Sequence, residues 1–85
     1  MTCGGWTILR KPDEDDMKVF EEAMNGLVGV NYTPLLVKSQ IVSGKNYKFI
    51  CNATPVVLEP DEFSAIVSIF KPLDGSAVLT EISKL

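Results

Sequence analysis

Cys3 and Cys51 are the strongest nucleophiles in this chain, and neither has an activating base beside it in the sequence. Histidine is absent altogether, which removes the usual partner of a nucleophilic thiol or hydroxyl and the commonest zinc ligand. The two cysteines match no metal-ligand spacing, so no metal and no cofactor is expected. Carboxylates adjoin as the run Asp13-Glu14-Asp15-Asp16 and, outside the predicted helix, as Asp61-Glu62. The first run reads as the acidic opening of a helix, where carboxylates favour the positive end of the dipole. The second lies in a polar turn with no constellation around it. No catalytic residue is assigned, and an enzyme is not expected.

Gln40-Ile41-Val42-Ser43-Gly44, followed by Lys45 and Asn46, separates two strand-like runs. Gly and Asn tolerate the positive φ of a tight reversal, so this stretch predicts a β-hairpin turning at residues 43–46. Near the N-terminus, Cys3-Gly4-Gly5 reads as a flexible arm, while Trp6, Ile8 and Leu9 are apolar enough to lie against a neighbour. Lys71-Pro72-Leu73-Asp74-Gly75 is a second turn, marked by its Asp-Gly pair.

The elements that must hold these segments follow from periodicity. At 85 residues, the chain predicts one domain with a modest core. Asp13 starts a helix whose apolar stripe, Met17, Phe20, Met24, Leu27 and Val28, carries the prediction to residue 28, with Gly29 just past its end. Residues 30–42 read as a long strand in which Pro34 indicates an edge position or a bulge. A second strand runs over residues 47–57, with Tyr47, Phe49, Cys51 and Ala53 on the helix-facing side. Residues 63–70 form a third, with Ala65, Val67 and Ile69 inward and Ile66 and Phe70 exposed unless the outer face is partly covered. Residues 77–83 form the last, with no clear inner face. One helix on one face of an antiparallel meander is a two-layer α+β domain.

Charge and composition narrow the partners. A net charge of −3, with no basic stripe, argues against nucleic acid. No apolar run approaches the roughly 20 residues of a membrane span, so no membrane partner is expected. The chain opens without the apolar stretch of a signal peptide, which predicts a cytoplasmic protein with both thiols reduced.

Gln40-x-Val42-x-Gly44 at a hairpin, together with the Met-x-Cys-Gly start, resembles the cystatins, and within them the stefins. The similarity is best between Leu36 and Phe49, where Val37-Lys38-Ser39-Gln40-Ile41-Val42-Ser43-Gly44-Lys45-Asn46-Tyr47 is close to the stefin run, and the order of elements matches over nearly the whole chain. The resemblance implies a cystatin-like α+β fold, one helix wrapped by a four- to five-stranded antiparallel sheet. It implies a reversible, tight-binding inhibitor of papain-like (cathepsin-type) cysteine proteases. The protease-binding residues it implies are Gly4, Gly5, Gln40, Ile41, Val42, Ser43, Gly44, Pro72 and Leu73. These would form a wedge of trunk and two loops that blocks the catalytic cysteine without being acylated. Gly4 and Gly44, lacking Cβ, would let the inhibitor backbone come close to the cleft. Two features depart from the family: the second loop reads Pro72-Leu73 where stefins carry Leu-Pro, and the helix is slightly short. The alternative is a cystatin-fold binding module without inhibitory activity, because fold alone does not fix function. A hairpin that reverses so tightly also predicts a monomer able to convert into a domain-swapped dimer.

Overall fold

The computed structural model describes residues 4–85. Helix α1 (Glu14–Met24) is followed by strands β1 (Val30–Val42), β2 (Gly44–Pro55), β3 (Phe63–Lys71) and β4 (Val78–Lys84). The strands form one antiparallel sheet in the order β1-β2-β3-β4. With the helix packed on one face, the architecture is α+β. No helix among the described residues is long and apolar enough to cross a membrane.

The helix starts where the sequence predicts and stops earlier. Asp13 caps it reciprocally: its carboxylate accepts from the Asp16 N–H at 2.9 Å, and the Asp16 carboxylate accepts from the Asp13 N–H at 2.9 Å. This arrangement satisfies two donors that a helix start leaves unpaired. The helix ends at Met24, one turn short of the predicted residue 28, because Gly26 takes φ +84. Leu27 and Val28 therefore leave the helical stripe, and Val28 is 87% exposed.

Alternation along β2 and β3 is as the sequence predicts. Tyr47, Phe49, Cys51 and Ala53 are buried, as are Ala65, Val67 and Ile69. Ile66 and Phe70 are half-buried, the outcome expected if the outer face is partly covered. From the helix, Phe20 meets Phe49 edge-on with ring centroids 4.9 Å apart, and Tyr47 stacks on Phe49 at 5.8 Å. Val37 and Ala77 complete this core, with Met17, Val19, Ala23 and Met24 packed against it. Burying one such large side chain stabilises the fold by about 1.5–3 kcal/mol.

Two irregularities set the remaining faces. The register shifts between Pro34 and Leu36, leaving Leu35 as the extra residue of a bulge on the edge strand β1. Proline has no N–H to give to the ladder, so an edge bulge is where it costs least. In β4, Ser68 pairs with Glu81 but Ile69 pairs with Leu79, so Thr80 is a second extra residue. This bulge changes the inward parity between Leu79 and Ile82, both of which pack on the core.

Candidate functional site

The β1–β2 hairpin reverses more tightly than the sequence suggests. Val42 pairs with Gly44, which leaves Ser43 alone at the apex, and Lys45 and Asn46 already belong to the ladder. Asn46 is thus not a turn residue; its amide donates to the Gln40 side-chain oxygen across the strands at 3.2 Å. At the tip Ser43 is exposed, Ile41 is 64% exposed and Val42 is half-buried.

Gly44 is buried, and its missing side chain serves the fold itself. It sits at φ +111, and a Cβ there would lie 2.6 Å from the Lys71 carbonyl oxygen and 2.9 Å from Cζ of Phe70. The end of β3 therefore fills the space. The close approach that this glycine permits within the chain is thus to Lys71 and Phe70.

The segment ahead of the helix lies along the outer edge of β1. The Gly4 N–H donates to the Ile41 carbonyl at 2.9 Å, and Thr7 N–H to Ser39 at 2.8 Å. Arg10 and Val37 exchange both backbone bonds, at 2.9 and 2.8 Å. Isolated bridges join Trp6 to Gln40 and Arg10 to Val37. The arm predicted as flexible is thus tied to the hairpin from Gly4 onward, while Trp6, Ile8 and Leu9 remain exposed. The predicted thiol state of Cys3 lies outside the described residues.

An ion pair fastens this segment to the helix. The Arg10 guanidinium donates to both carboxylate oxygens of Asp16, the Nη2–Oδ1 bond at 3.0 Å. Burial alone would raise the Asp16 carboxyl. The Arg10 hydrogen bonds, the Asp13 N–H and the Arg10 charge outweigh that and hold it below the ordinary carboxylate range. Sequence reasoning missed the pair, having read Asp16 as part of a solvated helix opening.

The second loop enters at the same end of the sheet. Lys71 pairs with Lys45, immediately beside Gly44. Its ammonium donates to the Gly75 carbonyl, and the Ala77 N–H donates to the Glu22 carboxylate, so both ends of the loop are held. Between them Pro72 is half-buried and Leu73 is 80% exposed. Gly4, Gly5, residues 40–44 and residues 71–73 thus gather at one end, with Ile41 and Leu73 as the projecting apolar side chains.

The groups of this end are suited to non-covalent docking. Backbone held in place, a small apex and two apolar side chains offer shape and apolar area. Among the described residues the one thiol, Cys51, is buried in the core, and burial pushes it up to about 12, out of the thiolate range in which cysteine reacts. Among the described residues no group of His, Cys, Asp or Glu is placed to hold a metal. A groove of about 170 Å³ lies at the opposite end, between the helix C-terminus and the start of β1.

Sequence reasoning also missed the surroundings of Trp6. Its ring has the Lys38 and Lys48 ammoniums 5.2 and 5.5 Å from its centroid. No periodicity in residues 4–10 announces this contact, which depends on β1 and β2 pairing in register. Compared with known protein families, curated proteins and solved structures, the chain finds no match.

Proposed function

We propose that this chain is a reversible inhibitor of papain-like cysteine proteases, acting through Gly4-Gly5, the hairpin tip at residues 40–44 and the loop carrying Pro72 and Leu73. The observation that carries the reading is the convergence of these three segments, tied by the Gly4–Ile41 hydrogen bond and the Lys45–Lys71 pairing. The Gln40-x-Val42-x-Gly44 motif supports it by resemblance. The wedge enters the cleft, covers the catalytic cysteine and leaves without bond making. Gln40 is held by Asn46, and Ile41 and Leu73 supply apolar contact area. Segments ordered before docking lose little conformational entropy on binding, which favours affinity. The protein acts on its target in the cytoplasm, as a cystatin-like monomer, and is not itself an enzyme.

A titration of papain with the purified protein tests the reading. Activity falls linearly to an equivalence point of one inhibitor per enzyme and returns on dilution. Full activity at micromolar protein rejects inhibition. It leaves the second reading, a cystatin-fold binding module, which the inward packing of Gly44 favours because that glycine is already explained by the fold.

A further inference from the structure

Lys38 and Lys48 are register partners on the face of the sheet away from the helix. Like charges directly opposite across two strands destabilise a sheet, and among the described residues neither lysine has a carboxylate partner. The nearest acid on that face by register is Glu81, beyond Ser68. It is two strand spacings from Lys48, or about 10 Å. The two ammoniums are met instead by the Trp6 ring, which pairs its backbone with Gln40 and keeps 38% of its own surface exposed. The carboxylates of Asp13, Glu14, Asp15 and Asp16 open the helix on the other face, where Arg10 engages Asp16.

The same end carries Lys45 and Lys71, paired with each other beside the hairpin tip. Asp74 is the one carboxylate in the adjoining loop. Four lysines therefore surround the docking end of a chain whose net charge is −3. A local field opposite in sign to the net charge steers encounter and selects among partners. A tryptophan already ordered by two cations is a preformed apolar anchor at low entropic cost.

We propose that Trp6, Lys38 and Lys48 form a second contact patch beside the wedge, selecting proteases whose surface next to the cleft is acidic. This rests on the inhibitor reading above, and it adds which members of that class are captured fastest. The lysines act on association, and Trp6 acts on dissociation.

The test measures association and dissociation rates at low and high salt for the wild type, Lys38→Gln/Lys48→Gln and Trp6→Ala. Two papain-like proteases serve as probes, one with an acidic and one with a basic rim around the cleft. Removing two opposed like charges does not endanger the fold, and circular dichroism verifies this for each variant. With the acidic-rimmed enzyme at low salt, the double lysine variant associates about 5–10-fold more slowly, and the difference shrinks as salt screens it. With the basic-rimmed enzyme the same variant associates no more slowly than the wild type. Trp6→Ala dissociates several-fold faster with its salt dependence unchanged. Wild-type inhibition with equal association rates in the lysine variant overturns the patch while leaving the inhibitor reading intact. Inhibition of neither protease overturns both.

Discussion

Replacing Gly44 with alanine tests whether the hairpin tip is built by packing against β3. The residue sits at φ +111, so any side chain strains the backbone by about 1–2 kcal/mol. The added carbon would also lie 2.6 Å from the Lys71 carbonyl oxygen and 2.9 Å from Cζ of Phe70. One is backbone in a paired strand and the other an aromatic ring, so relief requires moving the end of β3, at about 1–3 kcal/mol. The sum, about 2–5 kcal/mol, is a large share of the roughly 5–15 kcal/mol that holds a domain folded. In urea, with a slope of about 1 kcal/mol per molar for a small domain, the midpoint falls by about 2 M or more. Two glycines separate the causes. Gly26 has φ +84 but open space around it, so Gly26→Ala carries the strain alone, about 1 kcal/mol. Gly5 has neither constraint, and Gly5→Ala stays within about 0.5 kcal/mol. A Gly44→Ala midpoint no lower than that of Gly26→Ala would refute the packing argument.

The remaining predictions concern the ion pair, the arm and the hairpin. Because the folded Asp16 carboxyl lies below its ordinary value of 3.8, its contribution is present above that pH and is lost as pH falls through the folded value. Asp16→Asn therefore costs about 1–3 kcal/mol at neutral pH and progressively less in acid, below 3.8; a cost that does not shrink with acid would contradict the assignment. Removing residues 1–5 leaves the fold intact, since Thr7, Arg10 and the Asp16 ion pair still hold the segment, and speeds release from a protease. An unchanged off-rate would take the arm out of the interface. Reversal at a single residue, Ser43, makes the hairpin a hinge, so warming at high concentration yields a dimer that exchanges residues 4–42 between copies. Opening the tip removes it from the wedge, and a dimer inhibiting as well as the monomer would exclude a swap at this position.

Local rules carried the prediction wherever alternation ran unbroken. The inward sets Tyr47–Phe49–Cys51–Ala53 and Ala65–Val67–Ile69 were readable because a period of two admits one assignment once one face is apolar. Asp13 was readable as a cap because its helix donors are local. The misreadings have non-local or competing causes. Leu27 and Val28 continued the helical stripe in sequence, but Gly26 turns the chain before them. The inner face of β4 was hidden because Thr80 interrupts the period that would have revealed it. Gly44 was readable as a turn glycine, but the packing that also demands a glycine there comes from Phe70 and Lys71, far along the chain. Arg10 and Asp16 are six residues apart, and nothing in either flanking pattern shows that the carboxylate is buried. In the candidate site the three segments were legible as turns and glycines, whereas their meeting at one end depends on strand order and register.

The central claim, that this end of the sheet docks in a protease cleft, is tested most directly by nuclear magnetic resonance. The isotope-labelled chain is mixed with papain whose catalytic cysteine has been carbamoylmethylated with iodoacetamide, so that binding is observed without cleavage. The account predicts amide shifts concentrated at Gly4, Gly5, residues 40–44 and Leu73, with residues 26–31 and 56–62 at the opposite end unmoved. Shifts confined to that opposite end, or none at saturating papain, would contradict it.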